Sequence, residues 1–201
     1  MEQDPDFELL TAWRGGDAEA GNALFERHFT AVNRFFRSKV DTGVEDLVQA
    51  TFLACVEGRE RFEGRSSFRG FLFGIARNQL LGFYRHRHRG VVVEDISVVD
   101  LGASPSQAMA GREEERILLR ALRRLPLDHQ ITLELFYWEN LKTYELADVL
   151  GISPHTARSR LSRARAGLRE QVERVAKDPA GAQSTLNDLD GWACALRDRV
   201  L

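Results

Sequence analysis

The chain has 201 residues, 28 Lys and Arg against 30 Asp and Glu, and a formal net charge of −2. A hydrophobic fraction of 43 % can bury a core, which excludes disorder throughout, and no apolar run approaches the roughly 20 residues that cross a bilayer. Cys55 and Cys194 are too few for a disulfide framework or a zinc site, and the acidic N-terminus lacks the basic and apolar segments of a secretion signal, so a reduced, cytoplasmic chain is expected.

Apolar residues recur at three- and four-residue spacing from Phe7 to Phe36, and again from Glu45 to Val56 through Leu47, Val48 and Phe52, which predicts helices. Residues 62–70 read as a loop entering a helix. Gly64 punctuates it, and Ser66 or Ser67 is placed to cap the helix that follows. That helix runs to about Arg87 and turns Leu72, Ile75, Ala76, Leu80 and Phe83 inward. Residues 91–111 lose the helical period and carry Gly102, Ser104-Pro105-Ser106 and Gly111, so they read as a flexible linker. Helix resumes at Glu113 with Ile117, Leu118, Ala121, Leu122 and Leu125, and Pro126 stops it. The chain is therefore expected to be all-α: two small helical domains, 5–90 and 112–175, with a linker at 91–111 and an extension at 176–201. The extension holds a short amphipathic stretch with Leu186, Leu189, Trp192, Leu196 and Val200, suited equally to docking on the protein itself or on a partner and to a frayed surface helix.

The segment from Lys142 to Arg169 has the pattern of a helix-turn-helix. Thr143 to Leu150 puts Leu146, Val149 and Leu150 on one face. Gly151 sits where a left-handed turn residue is needed, and Ser153-Pro154 starts the next helix with a cap and a proline. In that second helix Ala157, Leu161, Ala164 and Leu168 form an apolar stripe. Arg158, Ser162, Arg165 and Arg169 form a donor-rich edge, with Ser159 and Arg163 beside it. Such a helix suits the major groove, where arginine reads guanine and hydroxyls contact bases or phosphates.

A neutral total argues at first against nucleic acid, which is usually met by a basic excess. Resolved by segment, the balance alternates. Residues 57–90 hold 8 arginines against 3 acids and residues 151–176 hold 6 arginines against 2, with acidic stretches around them. The first basic segment also carries Phe62, Phe68, Phe71, Phe73, Phe83 and Tyr84. Rings that stack bases and arginines that follow a backbone are the equipment for single-stranded nucleic acid, although each ring taken singly is better explained by a core. Asn78, mid-helix beside Arg77, could read an extruded base edge or bond local backbone.

Four blocks in order give the chain a resemblance to bacterial RNA polymerase sigma factors of the extracytoplasmic-function (ECF) group over about residues 7–172. Glu45-Asp46-Leu47-Val48-Gln49-Ala50-Thr51-Phe52-Leu53 resembles region 2.2, which grips the clamp helices of the polymerase beta-prime subunit. Phe62-Glu63-Gly64-Arg65-Ser66-Ser67-Phe68, followed by Ile75-Ala76-Arg77-Asn78, resembles regions 2.3 and 2.4. Leu122-Arg123-Arg124-Leu125-Pro126 resembles the start of region 4, and Thr156 to Arg165 resembles region 4.2.

The resemblance implies a region 2 helical bundle and a region 4 helix-turn-helix, and a subunit that directs promoter-specific transcription initiation. It implies polymerase contacts at Asp46, Leu47, Gln49 and Phe52. Minus-ten contacts fall at Phe62, Arg65, Ser67, Phe68, Arg77, Asn78 and Arg85. Minus-thirty-five contacts fall at His155, Thr156, Arg158, Ser159, Ser162 and Arg163. The partners it implies are core RNA polymerase, through the beta-prime clamp helices and beta flap, promoter DNA, and in many members an anti-sigma factor. No cofactor, metal or catalytic residue is expected, since the sequence has no nucleophile elbow, metal-spaced cluster or phosphate-cradling glycine loop. The alternative is a conventional helix-turn-helix regulator with residues 1–110 as a sensing or dimerising domain. The Glu45–Leu53 block and the aromatic loop argue against it.

Overall fold

The computed structural model describes residues 5–62, 64, 67–88, 90–102, 113–176, 178–188, 191 and 197. Arg65, Cys194 and the tail positions Leu189, Trp192, Leu196 and Val200 lie outside them. Among the described residues all regular structure is helical, apart from one isolated bridge between Ser97 and Pro126.

Helix α1 (Pro5–Arg14) turns at Gly15-Gly16 into α2 (Ala18–Arg37). Gly16 takes φ +100°, and Asp17 caps α2 by accepting from the backbone N–H of Glu19 (2.9 Å) and Ala20 (3.2 Å). Trp13 lies so close over Gly21 that a β-carbon there would come within 2.5 Å of the indole nitrogen. The Asp6 carboxylate, 2 % exposed, ties the two helices through Arg27 (2.6 Å) and His28 (2.7 Å).

Helix α3 (Val44–Gly58) buries Leu47, Val48, Thr51 and Cys55, and desolvation pushes the Cys55 thiol up to about 12. Helix α4 (Phe68–Arg87) starts at the expected cap: Ser67 Oγ accepts from the Gly70 N–H at 3.1 Å. Leu72, Ala76 and Leu80 are fully buried as their spacing predicts, with Ile75 and Phe83 half-buried beside them.

The connecting segment is packed along its described part. A single helical turn spans Val93–Asp95, Val93, Val98 and Leu101 are buried, and the Leu127 N–H donates to the Ile96 carbonyl at 2.9 Å. Residues 103–112 lie outside the described residues. Helices α5 (Glu113–Leu122), α6 (Leu127–Tyr137), α7 (Thr143–Leu150), α8 (Pro154–Val175) and α9 (Pro179–Asn187) follow. Gly151 takes φ +65° and its N–H returns to the Ala147 and Asp148 carbonyls, the left-handed helix stop read from the sequence. Ser153 Oγ then accepts from the Thr156 N–H at 3.1 Å, with Pro154 opening α8.

Helix α6 holds the two halves of the chain together because it is buried on nearly every side, its polar side chains as well as its apolar ones. Leu127, Ile131 and Leu135 join the larger core with α1–α4 and α7, while Leu133, Tyr137 and Trp138 join a second core with α5 and α8. The stripe Ala157, Leu161, Ala164 and Leu168 is buried throughout. The described part of the extension docks on the protein itself. Helix α9 lies on α5 and α8, burying Ala182 and Thr185, with Ser184 bonded to Glu114 at 2.9 Å.

Candidate nucleic-acid interface

Helix α8 presents its donors as the spacing requires. With Ala157 and Leu161 turned into the cores, His155, Arg158, Ser162 and Arg163 are exposed, and Thr156 and Ser159 are half-buried beside them. Thr156 shares a hydroxyl contact with the Ser153 cap (2.8 Å), and the Ser159 hydroxyl donates to the His155 carbonyl at 3.1 Å. The field here is positive. Burial, then Arg160 and Arg163, lower the pKa of His129 from its ordinary value. Arg165 belongs elsewhere: its guanidinium stands 4.8 Å from the Phe136 ring centre and donates to the Tyr137 hydroxyl at 2.9 Å, which makes it packing.

The second cluster lies on α4 and the loop before it. Phe62 is buried, its ring centre 4.7 Å from that of Phe71, while Arg14 reaches the Phe62 and Arg59 carbonyls. Phe68 is 2 % exposed and faces His28 with ring centres 5.5 Å apart. In this arrangement both rings are core. Asn78 is exposed, and Arg85 is a surface side chain paired with Glu94.

Arg77 and Ser67 meet the second half of the chain. Arg77 donates through Nε (3.1 Å) and Nη2 (2.8 Å) to one oxygen of Asp128 on α6, and the Ser67 hydroxyl donates to Glu145 on α7. Alongside them, Arg34 pairs with Glu139 at 2.5 Å, and Arg69 reaches the same carboxylate at 3.1 Å. Lys39 is fully buried against Glu134. Burial pushes its ammonium down from the ordinary lysine value, and Glu134 pulls the other way.

On α3, Asp46 and Gln49 are exposed, Leu47 is buried, and Phe52 is half-buried, tilted 4.7 Å from Phe25 and stacked 6.3 Å from Phe29. Phe29 and Leu53, 51 % and 57 % exposed, extend this patch. Leu53 closes the Glu45–Leu53 block, and Phe29 comes to it from α2, outside that block. Asp46, Gln49, Phe52, Leu53 and Phe29 thus make a mixed polar and apolar surface.

Two family models match, Sigma-70 region 2 over residues 24–90 and Sigma-70, region 4 over residues 115–168. The chain is 34 % identical to the RNA polymerase sigma factor CarQ of Myxococcus xanthus over 166 residues, covering 80 % of this chain and 94 % of that protein. It is 27 % identical to the ECF RNA polymerase sigma-E factor of Haemophilus influenzae over 184 residues, covering 86 % and 97 %. The chain belongs to the ECF RNA polymerase sigma factors. The solved structure of CnrH in complex with the cytosolic domain of CnrY is similar too, with TM-score 0.64 and 26 % identity over 85 % of this chain and 99 % of that one.

As a sigma factor the chain binds core RNA polymerase and directs promoter-specific initiation. The region 4 match contains the α7–α8 helix-turn-helix, and the region 2 match contains the α3 patch and the α4 cluster. Among the described residues no helix of this sigma factor is long and apolar enough to cross a membrane.

Proposed function

We propose that this sigma factor works as a non-catalytic cytoplasmic specificity subunit with a divided task. Residues 5–90 bind polymerase and the melted minus-ten element, 91–111 connect, 112–175 read the minus-thirty-five duplex, and 176–201 form an extension whose helix α9 lies on the second unit. The observation that carries the reading is the α8 surface: His155, Arg158, Ser162 and Arg163 stand exposed together while the opposite stripe is buried.

The α7–α8 motif lays the start of α8 in the major groove. Arg158 and Arg163 supply guanidinium donors for guanine edges or phosphate, and His155, Thr156, Ser159 and Ser162 supply shorter contacts. The α4 cluster takes the opened strand. Arg65, Arg77 and Arg85 follow its backbone and Asn78 and Ser67 hydrogen-bond base edges, while Phe62 and Phe68 pack in the core behind the pocket of an extruded base. Unstacking that base costs a few kcal/mol, which the pocket offsets. Asp46, Leu47, Gln49 and Phe52, extended by Phe29 and Leu53, face the clamp helices. Each unit binds weakly alone, and polymerase joins them so that affinity rises through effective concentration. An anti-sigma factor is the third partner proposed. The similar CnrH structure supports it as a complex with a second protein's cytosolic domain.

The test separates the two readers by substituting exposed residues. Arg158→Ala should weaken the upstream footprint of the holoenzyme by about 1–3 kcal/mol. Asn78→Ala should keep that footprint and lower permanganate reactivity at the minus-ten element. Wild-type footprints and strand opening in both variants would contradict the assignment.

A further inference from the structure

Helix α1 lies outside residues 24–90, the span of the region 2 match, yet its last turn grips the chain where the loop before α4 begins. Helix α3 ends at Gly58, a single helical turn spans Arg59–Arg61, and the backbone becomes extended at Phe62. Carbonyls at the end of a helical run lack intrahelical partners and favour a nearby cation. Arg14 meets both conditions. Its Nε and Nη2 donate to the Arg59 carbonyl at 3.0 Å and 2.5 Å, and the same Nη2 donates to the Phe62 carbonyl. The Phe62 N–H reaches the Arg59 carbonyl only at 3.4 Å, so the guanidinium is the firmer hold on that turn. The grip is reciprocal: the Arg59 guanidinium stands 5.1 Å from the Trp13 ring centre, and Trp13 is itself fixed over Gly21. On the far side the Phe62 ring meets Phe71 of α4.

We propose that Arg14 is a positioning residue for minus-ten recognition. It acts through the backbone of Arg59 and Phe62 rather than on a base, and so fixes the entrance to the pocket of the extruded base. The inference rests on the α4 cluster and the loop before it reading the minus-ten strand, as proposed above. A binding segment anchored in advance loses less affinity to its own ordering, and discrimination between bases needs supports that do not shift. The planar fork of arginine suits the task, because one guanidinium can span two carbonyls in a fixed geometry. An ammonium brings the charge without that geometry.

Holoenzyme assembled from core polymerase and the full chain tests it, on a promoter fragment that the wild type transcribes and on single-base variants of its minus-ten element. Arg14→Ala should open the minus-ten element about tenfold less by permanganate reactivity, the scale of one lost charge-assisted hydrogen bond. It should also discriminate less among the minus-ten variants, while core binding and the upstream footprint match the wild type. Arg14→Lys should recover part of both losses. Base discrimination is the deciding readout, since a loss of stability alone would leave it at the wild-type ratio and would overturn the proposal. Where circular dichroism shows that Arg14→Ala does not fold, Arg14→Lys decides alone, and wild-type discrimination in it overturns the proposal. Normal opening and discrimination in both variants, with Asn78→Ala defective, would remove the role of Arg14 and leave the minus-ten reading standing. Normal opening in Asn78→Ala as well would remove that reading, and the proposal with it.

Discussion

Asp6 shows how a single buried charge is kept. Burial raises the pKa of its carboxyl, but hydrogen bonds and charge from His28 and Arg27 outweigh burial and hold it below its ordinary value of 3.8. A depressed folded pKa contributes stability that is complete above the unfolded value and is lost as pH falls through the folded one. The wild type should therefore lose urea resistance below about pH 4, and Asp6→Asn should show a shallower acid slope; equal slopes would contradict this role. At this scale caps and stops were legible. Ser67, Gly151 and Ser153-Pro154 do what their types predict, because those signals are local. The fate of Phe68 and Arg165 was not. Periodicity says which side of its own helix a residue occupies, and not that His28 or Phe136 will cover it.

Among elements, the α1–α2 hairpin depends on one close approach. A β-carbon at Gly21 would meet the Trp13 indole at 2.5 Å, and Trp13 is itself packed edge-on to Phe25 at 5.3 Å. Gly21→Ala should destabilise the protein by about 1–3 kcal/mol in denaturant melts, as overpacking does. An unchanged midpoint would show that the indole moves freely. Amphipathic elements such as α4 and α8 were readable because each has one wet face. Helix α6 was not, since its two apolar faces meet two different cores and erase the period. The described part of the connecting segment also escaped its composition: Val93, Val98 and Leu101 are buried although no helical repeat announces them.

For the whole molecule, the charge of −2 takes on a structural meaning. The arginines of residues 57–90 and 151–176 are matched in part by acids from other segments, with Asp128 bridging Arg77 to Arg160. Sequence segments revealed the alternation; which acid meets which base is set by the packing of α4 against α7 and by α6 between the halves, which no local pattern encodes. The exposed donor face of α8 was legible almost residue by residue. The α4 cluster was legible as a segment, but its engagement by α6 and α7 was not. This chain gives core polymerase a promoter. In run-off transcription on a library of genomic fragments, purified core with the chain should produce transcripts absent from core alone. Their start sites should share two upstream elements at constant spacing. Equal transcription with and without the chain on every fragment would contradict the account.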